Sequence, residues 1–479
     1  KLDAFANPKL DFIMQPLMMI KRVSVNYDVK RGTILPGFLP NHNMFGQDFN
    51  QNAPGFGFLF GGQRDTSWLT NVSSKGWITS DTLFNYQFQQ QKTNTFNLKI
   101  ALEPFRDLRV DVNFNKTSTS NYSEFYKKIN EGSAFEHLNP AENGSFSVSF
   151  LMIRTMFDKL DENNFTKAFR NFEALREEFS NQLAASNPNS NGGFINDTIK
   201  LDNFNFGYGP YSQDVLIPAF IAAYTGKDVS KVRLNPLKTI PLPNWRLTYN
   251  GFSKMAWGKK LFQSFTISHG YNSTFSVSSF STDLNFVGTN GFGKGDTYFV
   301  PSKIDSLSGN FFNLYNIPQI SITEQFAPLL GVDITWKNSL ITDFEFKKSR
   351  TLGMSFLDFQ FSETRSTEIT AGLGYTLAKF TLPFKIGGKK LTLDNDINIR
   401  ADFSFRDDKT INYKLDQNIA EPTRGNKTFS FSPTLDYVVN QKLNVRLFYD
   451  FRKTKPATLA SYPITSHRGG VTIRFSLAP

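Results

Sequence analysis

The chain of 479 residues contains no cysteine and only four histidines. The first absence excludes a disulfide-stapled scaffold and any thiolate metal site. His42, His137, His269 and His467 lie far apart with no H-x-x-x-H pair, so no metal site is expected. Nowhere do 18 apolar residues run together, which excludes a transmembrane helix and is silent on strands that cross a membrane. The net charge of +11 comes without a long lysine or arginine run. It reads as surface solvation, with no nucleic-acid partner. No G-x-S-x-G elbow is found, and Gly291-Phe292-Gly293-Lys294-Gly295 lacks the G-K-[ST] ending of a phosphate loop. Ser268 beside His269 is the one pair suggestive of hydrolysis, but neighbouring strand residues face opposite sides. The chain reads as a non-enzyme without catalytic, cofactor-binding or metal residues.

Present instead are 51 phenylalanines at a mean hydropathy of only -0.34. Apolar and polar residues must therefore be interleaved, and the dominant pattern is alternation with period two, the signature of a strand with one greasy and one wet face. From Leu391 to Phe405 every odd position except Asn395 is apolar, while the even ones read Thr392, Asp394, Asp396, Asn398, Arg400, Asp402 and Ser404. Phe265 to Val277 alternates in the same way and exceeds the roughly 9 to 11 residues that cross a bilayer. Similar runs are Val23 to Val29, Phe96 to Leu102, Leu108 to Phe114, Ile320 to Trp336, Ile369 to Leu377, Phe429 to Val439, Leu443 to Phe451 and Val471 to Leu477.

Tight connections are expected at Pro104 to Asp107, Gly258 to Lys260, Lys337 to Ser339, Gly387 to Lys390 and Asn440 to Lys442, with long ones between them. That asymmetry is characteristic of outer-membrane barrels. The fold class is all-β: a transmembrane antiparallel β-barrel of about 12 strands, itself part of a larger barrel, with long extracellular loops carrying a few helices. Residues 1–479 form one barrel segment, with 121–243 a large loop insertion. Phe105, Trp257, Trp336, Phe384 and Tyr437 near the short turns suit an interfacial aromatic girdle. The chain opens at Lys1 without a leader, which implies removal of a signal peptide or a fragment of something longer.

Within the insertion, Phe165, Phe169, Phe172, Leu175 and Phe179 recur at helical spacing, and Val215 to Tyr224 ends at Gly226, a suitable C-cap. For the first helix a membrane-surface role competes with the commoner fate of packing against other loops, and the second, too short to span a membrane, is expected to pack onto the barrel or into its lumen. The lumen-facing candidates are Asp394, Asp396, Arg400, Asp402 and Arg406, which share one phase of the alternation. On a lipid face Arg would cost roughly 2–4 kcal/mol at the midplane, so these residues are assigned to water or to one another.

The closing stretch Arg468 to Phe475, with Gly470, Ile473 and Phe475, resembles the assembly signal of outer-membrane barrels, although Ser476-Leu477-Ala478-Pro479 follows it. The segments Gly32 to Phe38, Pro54 to Gln63, Ile217 to Gly226 and Pro241 to Gly251 resemble the C-terminal region of the SprA/Sov translocon family of the type IX secretion system of Bacteroidota. The resemblance implies a protein-conducting outer-membrane channel for folded cargo carrying a C-terminal targeting domain, in a pathway tied to protein secretion and gliding motility. It further implies partners: the rest of the translocon barrel, a PorV-type shuttle barrel at a lateral opening, a periplasmic plug protein and outer-membrane lipid. The rivals are an independent porin or solute transporter and a soluble β-sandwich adhesin. Strands this long argue against the adhesin.

Overall fold

A computed structural model describes residues 18–63, 65–190, 203–290, 299–378, 380–386, 389–393, 395–440, 442–458 and 461–475. The alternating runs form an antiparallel sheet of fourteen strands. In chain order its named strands are β1 Ile20–Ile34, β2 Phe88–Leu102, β3 Leu108–Lys128, β4 Phe135–Ser149, β5 Asn244–Tyr249, β6 Phe262–Thr282 and β7 Gln319–Trp336. They continue with β8 Leu340–Ser355, β9 Gln360–Leu377, β10 Ile397–Lys414, β11 Ile419–Asn440, β12 Leu443–Pro456 and β13 Ile464–Phe475, and the two-residue Tyr315–Asn316 completes the sheet. Twelve wall positions result, because β4 and β5 share one. β4 pairs with the far halves of β3 and β6, and β5 pairs with their near halves in the same direction. Among the described residues the sheet does not close: β1 and β13 each keep one unpaired edge.

The chain leaves the wall after Ser149 and returns at Asn244, and the break is stitched by side chains. Ser149 Oγ donates to the Leu242 carbonyl (2.7 Å) and accepts from the Asn115 N–H (3.1 Å). Asn244 exchanges bonds with the Ser273 backbone and donates to Asn272 Oδ1 (2.7 Å). Residues 121–149, expected from sequence to be loop, therefore belong to β3, its turn and β4; the insertion proper begins at 150. The polar run through His137, Asn139, Glu142 and Asn143 conceals β4, the six residues of β5 are too few to show a period, and Lys347-Lys348-Ser349-Arg350 interrupts the alternation of β8.

The expected strand from Leu391 to Phe405 is also divided. Phe380–Ile386 and Lys389–Leu393 pair as a separate hairpin, and β10 starts only at Ile397. The turn expected at Gly387 to Lys390 falls partly on residues 387–388, which lie outside the described ones. The connections expected at Pro104 to Asp107, Gly258 to Lys260, Lys337 to Ser339 and Asn440 to Lys442 join strands at one end of the sheet. The opposite end carries the long connections 35–87 and 283–318, but also short ones at 129–134, 356–359 and 415–418, so the asymmetry is weaker than expected.

Besides α1 Thr66–Ser74, the insertion supplies α2 Lys167–Ser186 and α3 Gln213–Thr225. Thr166 caps α2 by accepting from the Phe169 N–H (3.0 Å), and Gly226 closes α3 in the left-handed region at φ 66°. Val215 to Tyr224 is buried all round, because α3 packs against both α2 and the sheet. Phe169 stacks on Tyr413 with ring centroids 4.3 Å apart, and Phe220 meets Phe361 edge-on at 5.6 Å. Both expected helices pack onto the wall.

Candidate functional site

Because β8, β9 and β10 pair without a register slip, the two faces of the sheet can be followed across them residue by residue. One face carries Phe344, Phe346, Ile369, Leu373, Tyr375, Ile399, Phe403 and Phe405, and register extends it to Phe429 and Leu435, to Leu447 and to Val471. On the other flank Val23, Val25 and Tyr27 join Leu98 and Phe114 in it. Many of these side chains are open to the surroundings, Leu373 at 49% and Val471 at 60%. The result is a continuous exposed apolar belt. At the tight-turn end Phe252, Trp257, Phe262 and Trp336 form a chain of edge and tilted ring contacts, and Phe105 touches Tyr249. The side chain of Phe384 lies outside the described ones.

The opposite face is predominantly polar, with Ile341, Val438 and Phe448 as apolar exceptions. Arg400, Asp402 and Arg406 lie on it together, as their shared phase implies, whereas Asp396 is an exposed residue preceding β10 and Asp394 lies outside the described residues. Register adds partners that sequence cannot reach. Arg400 Nη2 donates to Asp343 Oδ1 (3.0 Å), two strands away, and its Nε donates to Asp402 (2.8 Å). The bridge passes over Gly372, where an added Cβ would stand 2.4 Å from the Asp343 carboxylate. Arg406 donates to Asp408 (2.9 Å), which also accepts from Ser366 Oγ (2.5 Å). Lys347 pairs with Glu345, and Arg446 with Asp436 at 3.7 Å.

Towards β1 the same face holds a concavity of about 770 Å³, lined by Asn26, Asn97, Asn113, Asn115, Asn244, Asn272 and Gln325 among others. Sequence reasoning missed these amides. Their signal was the off-beat positions of the same alternating runs, where neutral amides stand out less than the apolar members beside them. Since the charged pairs are largely solvated, Arg400→Gln is expected to lower stability by less than about 1 kcal/mol. Thermal unfolding of the purified protein checks this, and a large drop would mean that the ladder holds the wall together.

The insertion sits on the belt side, beyond the belt. There the sheet presents charges in apolar phase. Arg350 and Glu324, 1% and 0% exposed, pair at 2.7 Å. Glu324 also accepts from Tyr271 OH (2.6 Å), and Arg350 donates to the Thr155 carbonyl (2.7 Å) and hydroxyl (3.0 Å). Beside them Arg365 donates to Glu363 (2.7 Å) and to the Asp158 carbonyl (2.5 Å), while Tyr413 OH reaches Glu363 at 3.2 Å. Lys409 holds Asn164 Oδ1 (2.7 Å), and Lys116 the Thr239 carbonyl (3.0 Å). This ledge of cations grips insertion carbonyls and amides that would otherwise be buried unsatisfied. On α3, burial and then the nearby Glu363 carboxylate keep the Tyr224 hydroxyl protonated, well above its ordinary range.

Ser268 and His269 are not brought together. His269 Nδ1 donates to the Leu329 carbonyl (2.7 Å) on the belt side, and strand alternation turns Ser268 to the other. His137 meets Glu124 (2.7 Å) and His467 meets Tyr449 (2.7 Å), each far from the others in sequence and on separate strands. Among the described residues no group of three His, Asp or Glu could hold a metal ion. The segment Gly291 to Gly295 lies outside the described residues. No protein-family model matches the chain, and no curated protein matches it significantly.

Proposed function

We propose that this sheet is a section of the wall of an outer-membrane β-barrel whose polar face lines a protein-conducting lumen, as the resemblance to the SprA/Sov translocon family implies. The observation that carries the reading is the segregation of the two faces across the wall. On β10 the exposed belt runs from Ile399 to Phe405, six residue steps or about 20 Å along the strand, and Ile397, which is covered, continues its phase. An outer-membrane barrel presents an apolar band about 25 Å tall. The polar face suits passage rather than capture: Asp343, Asp402, Asp408 and Asp436 are each paired with an arginine, and its concavity is lined mainly by neutral amides together with Lys99 and Arg246. A folded cargo protein would find few unpaired charges and little grease to adhere to. Cargo with a targeting domain, a shuttle barrel and a periplasmic plug are the partners of this reading.

The open edges favour a share in a larger barrel over an independent porin. Unpaired N–H and C=O groups of β1 and β13 have no water to bind inside a bilayer, so other strands must cover them. Electron microscopy of the protein extracted from outer membranes with its companions tests this. The expected image is a ring wider than twelve strands can close, in which this chain is one arc. A closed ring made by this chain alone, β1 against β13, would leave a porin or solute transporter. Recovery only in soluble fractions would overturn the membrane reading itself.

A further inference from the structure

On the belt side, over β3 to β10, each cation just beyond the belt is occupied by the insertion or rests against it: Lys116, Arg365 and Lys409 hold its oxygens, and the Lys348 ammonium lies 4.5 Å from the Phe157 ring centroid. Over β11 and β12 the insertion is absent and the cations remain. Lys427 and Lys455 are directly opposite each other, and Lys453 is opposite Phe429, the last belt residue of its strand. All three lysines are exposed. Asp407 takes Lys427 at 3.1 Å, and Lys453 and Lys455 have no carboxylate partner among the described residues.

Like charges facing each other across a strand pair are destabilising, their Cβ atoms being only about 4.5–5.5 Å apart. An anion placed between them would reverse the sign of that interaction. Immediately below, Phe429 and the Phe451 of β12 offer apolar surface on the same face. We propose that Lys427, Lys453 and Lys455 bind the phosphate-bearing headgroup of a lipid in the leaflet nearest the insertion, with its acyl chains lying along the belt. The inference rests on the membrane reading above. Lysine stems run along apolar surface while their ammonium groups reach the headgroup level, which is where these three stand. On the polar face Arg400, Arg406 and Arg446 each face a carboxylate, and Arg452 stands between Ser430 and Ser466 instead of beside a second cation.

The test is native mass spectrometry of the full complex, extracted from outer membranes in mild detergent and titrated with diphosphoryl lipid A. The triple variant Lys427→Gln/Lys453→Gln/Lys455→Gln is compared with Arg452→Gln, a change on the polar face of the same strand. Retention of the lipid is expected to fall at least about tenfold in the triple variant and to be unchanged in the control. Dephosphorylated lipid should bind the parent protein no better than the triple variant. Equal retention by parent and triple variant would overturn the proposal, as would displacement of the lipid by millimolar inorganic phosphate, which marks a free-anion site. If the complex remains integral to the membrane while the lipid result fails, only this inference falls. If it is never found in the membrane, the underlying reading falls with it.

Discussion

Replacing Arg350 by methionine is expected to loosen the helical insertion from the wall at a cost of about 3–5 kcal/mol, because it leaves the Glu324 carboxylate buried without its cation. The same change removes the two donors that hold Thr155, the point at which the insertion first turns over the sheet. Limited trypsin digestion of membranes should then cut within α2, whose Arg170, Arg176 and Lys167 are protected only as long as the helix stays packed. The double variant Arg350→Met/Glu324→Gln removes the stranded charge as well. It should recover much of the protection, since replacing a whole buried ion pair is far less costly than breaking one. Unchanged digestion of the single variant would show that the apolar core under α2 and α3 holds the insertion without the ledge.

The second large effect concerns the belt. Leu373→Arg puts a charge at mid-belt, 49% exposed to whatever surrounds the sheet. In lipid this costs about 2–4 kcal/mol at the midplane. Thr370→Arg, three residues away on the same strand, turns onto the polar face. The first variant is expected to lose most of its assembled protein from the outer-membrane fraction, and the second to assemble normally. Equal assembly of both would mean that the belt does not meet lipid.

Much of the fold is legible in particular residues. Phe265 to Val277 and Phe429 to Val439 announce their strands because a chain with one apolar and one wet face must alternate. Phe165 to Phe179 announces α2, and Gly226 the end of α3. The charged phase of Arg400, Asp402 and Arg406 identifies the polar face by alternation alone. Glu324 between Ile322 and Phe326, and Arg350 before Leu352, carry a subtler signal. A charge in apolar phase marks the height at which the exposed apolar belt ends, and at Glu324 and Arg350 the insertion covers it.

What the sequence determined by itself, then, is the local phase of each strand: which side chains share a face, and hence a sheet with one apolar and one polar side. That is a consequence of backbone geometry within a few residues. What each face meets at each height depends instead on how distant parts of the chain come together. The pairing of Asp343 with Arg400 depends on the register of three strands. The division of one wall position between β4 and β5 brings Ser149 and Asn244 together across 94 intervening residues, 150–243. Whether a lysine beyond the belt holds a carbonyl or stands free depends on how far the insertion reaches. These are contacts between residues remote in the chain, and no periodicity encodes them.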